Sequence, residues 1–347
     1  MCRTLPLDVV VITEAGRHYA PGWSEHDGWP VYAVPQSGAV GALLRSIPAF
    51  LAGGGMRRYR AMHIAGLSKA AQIVGLLGLV SRIPVIAEMT VDPDPVGTRW
   101  RDRIAMLPVT KAALLIALND TIRKWFLALG APVGRIWQRP NPVDITKFSP
   151  PTEAEVVAAR KRFGIPDGAE VVVVFGRFQP RKNQRFAVEA LSRLPGPTHL
   201  LLAGPVFPDD RPYVAALEDK IRSLGVADRV TIHGQEVGDA RVLYAAVDQL
   251  WLTSTREGLP NVMLEALCCG VPVIANRGLG LDRYVIDGVN GINADLDVDS
   301  FAQAVRKVST ISADRRMRGD IADRARTDFD AERLCREFAE RLARVMR

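Results

Sequence analysis

Between Ser254 and Ala275 the chain reads Ser-Thr-Arg-Glu-Gly-Leu-Pro-Asn-Val-Met-Leu-Glu-Ala-Leu-Cys-Cys-Gly-Val-Pro-Val-Ile-Ala. Glu257 precedes a predicted helix and Glu265 lies one turn inside it. Pro260 suits the first turn and Gly270 the end, so the helix is expected from Pro260 to Cys269. A strand ending near Leu252 feeds this loop, and another begins directly after Gly270. The backbone N–H groups of Gly258, Leu259, Asn261 and Val262 would then face the carboxyl edge of a parallel sheet, where such sheets bind ligands. A helix N-terminus there suits a phosphate. Beside a phosphate, the carboxylates of Glu257 and Glu265 would accept hydrogen bonds from hydroxyls, such as those of a sugar and a ribose. The alternative for Glu265 is a helix residue facing water.

A second group runs from Val171 to Asn183. Four valines form a buried strand that opens into Gly176-Arg177, and Lys182 follows five residues after the arginine. Arg177 can grip an anion with two donors and Lys182 adds a compact charge. The alternative is a surface salt bridge. Paired with the helix terminus at Gly258, the two cations would clamp a diphosphate. Other signals are weaker. Asp92-Pro-Asp94 and Asp295-Leu-Asp297 match an Asp-x-Asp pattern that is common by chance, so no metal site is expected. His63, His199 and His233 end apolar strands. His199 reads as a satisfied, partly buried histidine, whereas His233 could sit near a nucleotide base. Gly53-Gly54-Gly55 does not follow a strand and is no dinucleotide fingerprint.

These residues need a scaffold that brings strand ends together. Strand-length apolar runs recur at Asp8–Thr13, Pro84–Ala87, Val171–Phe175, His199–Ala203, Val230–His233, Gln249–Leu252 and Val271–Ala275. Helical stretches lie between them at Ser68–Val80, Gln184–Leu194, Tyr213–Leu224 and Asp239–Ala246, and the chain ends in Ser300–Thr310, Ala313–Thr327 and Ala331–Arg347. This alternation predicts α/β architecture with a parallel sheet covered on both faces. The length of 347 residues suggests two domains, and the proline-rich stretch Asn141–Glu153 is the expected boundary. With 48% hydrophobic and 24% charged residues the chain is neither disordered nor fibrous. Four cysteines without zinc-ligand spacing fit a reduced, cytoplasmic setting rather than a disulfide framework. No stretch reaches the roughly 18 apolar residues of a membrane span; Ile73–Val80 is too short. No signal pattern is expected at the start, because Asp8 and Glu14 interrupt it.

Asn141-Pro142-Val143-Asp144 with Phe148, Gly176-Arg177 with Lys182, Leu202-Ala203-Gly204, His233-Gly234, the Glu257/Glu265 pair, Gly270–Ala275 and Asp287-Gly288-Val289-Asn290-Gly291 carry a family resemblance. Together they resemble the retaining family-4 glycosyltransferases (glycosyl transferases group 1). The resemblance implies a GT-B fold, two Rossmann-like domains with parallel sheets facing across a cleft. Residues 1–150 would bind the acceptor, 151–330 the nucleotide-sugar donor, and the helix 331–347 would cross back to the first domain. It implies that Arg177 and Lys182 hold the donor diphosphate, Glu257 the transferred sugar and Glu265 the ribose. Arg177, Lys182 and Glu257 become the catalytic candidates. Gly176, His233, Gly258, Leu259, Asn261, Val262 and Glu265 complete the donor site. The chain starts at what looks like the family's second strand, and Glu88-Met89-Thr90 stands where its common histidine would be.

The expected function is transfer of a sugar from a UDP- or GDP-sugar to an acceptor hydroxyl with retention, in glycan, glycolipid or envelope polysaccharide synthesis. It needs no metal and no cofactor, and no nucleic acid partner is expected. The alternatives are a non-catalytic glycosyltransferase-like partner protein and a GT-B sugar-nucleotide epimerase. The net charge of +7 lies wholly in the first part. Residues 1–150 hold 17 Lys and Arg against 10 Asp and Glu, and residues 151–347 hold 28 of each. Arg57, Arg58 and Arg60 beside Leu43–Leu51 would meet anionic headgroups, giving a peripheral site at the inner membrane face. The alternative there is a core helix ending in a solvated basic loop.

Overall fold

The computed structural model describes residues 11–14, 22–26, 29–34, 59–90, 104–194 and 196–347. Asp92, Asp94, Arg57 and Arg58 lie outside these residues, as do the segment Leu43–Leu51 and Gly53–Gly55. The chain divides into two compact units, one of residues 1–118, 122–139 and 332–347, the other of 119–121 and 140–331. The division falls at Pro140, earlier than the expected residue 150. Asn141–Phe148 pack with the second unit because Val143 N–H donates to Phe329 O at 2.8 Å and Ala331 N–H to Val143 O at 3.0 Å.

Among the described residues the first unit holds two sheets. Strands β1 (Val11–Glu14), β2 (Gly22–His26) and β3 (Trp29–Val34) form a mixed sheet of order β1-β3-β2. β1 runs parallel to β3, and β2 antiparallel to it, which departs from the expected parallel alternation. Only two residues, Asp27-Gly28, separate β2 and β3, a sequence signal for antiparallel pairing. The second sheet, β4 (Met62–Ala65), β5 (Val85–Met89), β6 (Leu114–Ala117) and β7 (Ile136–Gln138), is parallel throughout in the order β4-β5-β6-β7. Helix α1 (Lys69–Val80) starts where the Ser68 hydroxyl accepts the Ala71 N–H. Helices α2 (Leu107–Thr110) and α3 (Asp120–Ala128) follow.

The second unit is built on six parallel strands: β8 (Glu170–Phe175), β9 (Thr198–Ala203), β10 (Val230–His233), β11 (Gln249–Leu252), β12 (Val273–Asn276) and β13 (Gly291–Ala294). Their order is β10-β9-β8-β11-β12-β13. Every residue of β9, β11 and β12 is buried, and so are the four valines of β8. A strand covered on both faces by helices selects such continuous apolar runs. The helices are α4 (Glu153–Arg162), α5 (Gln184–Leu191), α6 (Arg211–Ser223), α7 (Ala240–Ala246), α8 (Asn261–Cys268), α9 (Val298–Ala313) and α10 (Arg315–Phe329). Trp251 of β11 packs edge-on against Phe301 of α9 at 5.3 Å, and Phe186 of α5 meets the same ring at 5.2 Å. Each such fully buried side chain contributes about 1.5–3 kcal/mol.

The last helix, α11 (Ala331–Val345), is grouped with the first unit apart from its first residue. Phe338 stacks near Trp137 at 6.2 Å, and Arg341 lies 4.7 Å over the same indole. Cys268 and Cys269 are free and buried. Cys335 is disulfide-bonded, which corrects the expectation that all four cysteines are reduced.

Candidate active site

Counted from β8, the second sheet has strand order 3-2-1-4-5-6. The connections leave β8 toward one edge and, at β11, resume toward the other. The carboxyl ends of β8 and β11 therefore diverge, and a crevice opens at this switch point. Both groups singled out in the sequence lie there: Gly176–Asn183 directly after β8, and Thr253–Val262 directly after β11.

Two glycines let these loops approach. Gly176 has φ +149°, and a Cβ there would lie 3.0 Å from Lys182 Cε. Gly204, after β9, has φ +144°, and a Cβ there would lie 2.2 Å from Gly176 O. A 3-10 turn over Pro180–Lys182 and a left-handed Asn183 (φ 54°, ψ 41°) then turn the chain into α5. The two loops are stitched together. Thr253 Oγ1 donates to Lys182 O at 2.9 Å, and Thr255 N–H donates to Arg181 O at 2.9 Å.

Lys182 Nζ donates to Glu257 Oε1 at 2.7 Å, and Arg181 Nη1 to Glu257 Oε2 at 3.1 Å. Arg181 also reaches Arg256 O at 2.8 Å. Burial pushes the Glu257 carboxyl up, but the Lys182 charge, hydrogen bonds from Lys182 and Ser254, and Arg181 outweigh it. The carboxyl stays below the usual glutamate range, so it is ionised near neutral pH. Arg177 goes elsewhere. Its Nε and Nη2 donate to the two oxygens of Asp210, both at 2.8 Å.

Helix α8 begins at Asn261, with Pro260 in extended conformation as its N-cap. Asn119 Nδ2 donates to Gly258 O at 2.7 Å, and Asn141 Nδ2 donates to Leu259 O at 3.2 Å and to Asn261 Oδ1 at 2.8 Å. These amides fix the loop by its carbonyls. Among the described residues the N–H groups of Gly258, Leu259, Asn261 and Val262 meet no backbone acceptor. Glu265 is half-buried and accepts the Tyr244 hydroxyl at 2.8 Å. Burial pushes its carboxyl above the usual range, and the Tyr244 bond and the Lys147 charge only partly oppose that. The helix face toward water is thereby excluded for Glu265. His233 ends β10 and meets Phe163 edge-on at 5.2 Å. His199 is buried against Thr231 Oγ1 at 2.8 Å, as expected for a satisfied histidine.

Lys182, Glu257 and the α8 N-terminus thus come together at one strand edge, with Gly176 beneath Lys182. Arg177 is drawn to Asp210, and Glu265 sits one turn further along α8. Sequence reasoning missed Arg181, although it adjoins Lys182. It missed Asp210, Asn119 and Tyr244 because each is far from its partner along the chain. No group of three or more His, Cys, Asp or Glu side chains that could hold a metal ion occurs among the described residues. Asp297 caps α9 through the Ser300 N–H at 2.9 Å, and Asp295 lies 3.6 Å from Arg277.

Comparison with known proteins matches the second unit to a family. The family Glycosyl transferases group 1 matches residues 157–328. The lipopolysaccharide core biosynthesis glycosyltransferase LpsE of Rhizobium meliloti is 36% identical over 170 residues, 49% of this chain and 47% of that protein. The GDP-mannose-dependent alpha-(1-6)-phosphatidylinositol monomannoside mannosyltransferase of Mycolicibacterium smegmatis is 31% identical over 258 residues, 68% of this chain and 64% of that protein. The chain spans about half the length of curated relatives such as LpsE. Among solved structures, Anabaena HepE in complex with UDP superposes with a TM-score of 0.80 at 20% identity, covering 97% of this chain and 100% of that one. The sucrose-phosphate synthase of Thermosynechococcus elongatus gives 0.78 at 21% identity, covering 96% of this chain and 88% of that one. With its two parallel-sheet α/β units, this chain has the GT-B fold and carries a glycosyl transferases group 1 domain over residues 157–328.

Proposed function

We propose that the chain transfers a sugar from a nucleoside-diphosphate sugar to an acceptor hydroxyl with retention of anomeric configuration. The observation that carries this reading is the Lys182–Glu257–Arg181 cluster at the switch point, beside the N–H groups that open α8. Arg177, Arg181 and Lys182 set three cations against two carboxylates, Glu257 and Asp210. The surplus charge and the helix terminus suit a diphosphate. Ionised Glu257 accepts hydrogen bonds from the sugar hydroxyls. Lys182 has three N–H donors, so it can bond Glu257 and a phosphate oxygen together. Glu265, oriented by Tyr244, accepts from the ribose.

In the transfer the bond between the anomeric carbon and the β-phosphate oxygen breaks. Negative charge grows on the leaving diphosphate, where Lys182, Arg177 and the amides are fixed in advance. The acceptor oxygen bonds to the anomeric carbon on the face the diphosphate leaves, and its proton passes to the departing phosphate. This route uses no metal. The relatives named above act in lipopolysaccharide core and phosphatidylinositol mannoside synthesis, which favours a lipid-linked envelope glycan as acceptor and the inner membrane face as the place of work. The first unit would bind it. The test is a panel of UDP- and GDP-sugars, with and without EDTA, read as nucleotide release. Release of UDP or GDP that persists in EDTA is expected. Binding without release from any donor would instead favour a non-catalytic partner protein.

A further inference from the structure

The guanidinium of Arg177 is held by a residue 33 positions further along the chain. Asp210 closes the 3-10 turn Pro208–Asp210 and stands directly before α6. The residue is buried, 6% exposed, and its side chain is itself anchored, since Phe207 N–H donates to Asp210 Oδ2 at 3.1 Å. It takes Nε and Nη2 of Arg177 in a bidentate pair, both at 2.8 Å. The Phe207 ring lies 4.8 Å from the same guanidinium carbon. The Arg177 carbonyl is tied too. Gln184 Nε2 donates to it at 3.1 Å, and Gln184 Oε1 accepts the Tyr213 hydroxyl at 3.0 Å. Backbone, edge and face of one half-buried arginine are therefore all fixed, although its side chain keeps 38% of its surface open.

Such an arrangement is excessive for a surface salt bridge, which contributes little. It fits a cation whose rotamer is set before its ligand arrives. A guanidinium carries five N–H donors. The pair with Asp210 occupies two of them, which leaves Nη1 for an incoming oxyanion. We infer that Asp210, backed by Phe207, is a positioning residue that presents Arg177 to the diphosphate of the donor. The inference rests on the donor-site reading above. Two effects oppose each other on removing Asp210. The site loses a negative charge, which would tighten anion binding, and Arg177 regains its rotamers, which weakens it. The bidentate geometry and the burial of Asp210 make the ordering effect the larger.

The test is a double-mutant cycle on UDP and GDP binding, measured by calorimetry on the full chain, with thermal melting of every variant. Arg177→Ala should weaken binding at least about tenfold. Asp210→Ala and the isosteric Asp210→Asn should each weaken it about three- to tenfold, the range for ordering one long side chain. On the Arg177→Ala background, Asp210→Ala should change affinity by less than about twofold, because its effect passes through Arg177. Equal losses from Asp210→Ala in both backgrounds would make Asp210 merely structural and overturn the inference. Unchanged or tighter binding by Asp210→Ala would overturn it as well, and so would loss of the folded state in both Asp210 variants. If Arg177→Ala itself leaves UDP and GDP affinity unchanged, the donor-site reading falls and takes the inference with it.

Discussion

Lys182 and Glu257 hold each other at 2.7 Å with the glutamate 7% exposed, so neither can be removed without leaving the other changed. Lys182→Ala should cost about 2–3 kcal/mol of transition-state stabilisation, the scale for one preorganised donor. Near-wild-type turnover would remove Lys182 from the reaction. The two glutamates should separate by ligand. Glu265→Gln should weaken binding of the free nucleoside diphosphate, whereas Glu257→Gln should leave that binding closer to wild type and reduce turnover. Calorimetry with the nucleotide alone would show the reverse ranking if the roles were exchanged. Acid should act through Glu257. Its carboxyl titrates below the ordinary glutamate range in the folded chain, so its contribution to stability is complete above that range and is lost as pH falls through the depressed value. Melting temperature should be flat on this account from neutral pH down to the ordinary carboxylate range, then fall.

At the scale of elements, the loop edges depend on close backbone approach, and the helices depend on their caps. Gly204→Ala would push a methyl to within 2.2 Å of Gly176 O, a backbone atom that cannot step aside. It would also hold a non-glycine residue at φ +144°. That should cost about 1–3 kcal/mol and displace the Gly176–Lys182 loop, so nucleotide binding falls along with stability. Thr152 caps α4 with a full capping box. Its hydroxyl accepts the Glu155 N–H at 3.3 Å, and Glu155 Oε2 accepts the Thr152 N–H at 2.7 Å. Thr152→Ala should cost about 1 kcal/mol and leave nucleotide affinity unchanged, since Thr152 and Glu155 bond each other and Arg241 rather than the Lys182–Glu257 cluster. Chemical denaturation with parallel binding measurements distinguishes the two outcomes.

For the whole molecule, the excess of 17 basic over 10 acidic residues in 1–150 is a property of the chain whatever its folding. No helix among the described residues is long and apolar enough to cross a membrane. Arg60 is exposed, while Arg57 and Arg58 lie outside the described residues. If this part meets a lipid-linked acceptor at a bilayer, co-sedimentation with vesicles should rise with anionic lipid and fall with salt. Changing Arg57, Arg58 and Arg60 to Ser should weaken it by about 1 kcal/mol per residue. Equal binding to neutral and anionic vesicles would point to a soluble acceptor.

The parallel sheet of the second unit was legible from local pattern. Four consecutive valines, the runs at His199–Ala203 and Gln249–Leu252, and the helices between them permit little but strands buried on both faces. Lys182, Glu257 and the proline before α8 were also readable, since a strand–loop–helix passage states its own geometry. Weaker elements were not. β7 is three residues long, and β13 reads Gly-Ile-Asn-Ala, where Asn293 Nδ2 is spent on Val285 O at 2.7 Å. Such strands exist through neighbours rather than propensity. The switch of Arg177 from an open clamp to a pair with Asp210 belongs to the tertiary structure alone, as do the Asn119 and Asn141 amides that orient the loop before α8. Burial is a property of single positions and repeats with the period of the element, so it prints itself on the sequence. Pairing between residues 33 positions apart leaves no periodic trace, and only the strand order that brings β8 and β9 side by side decides it.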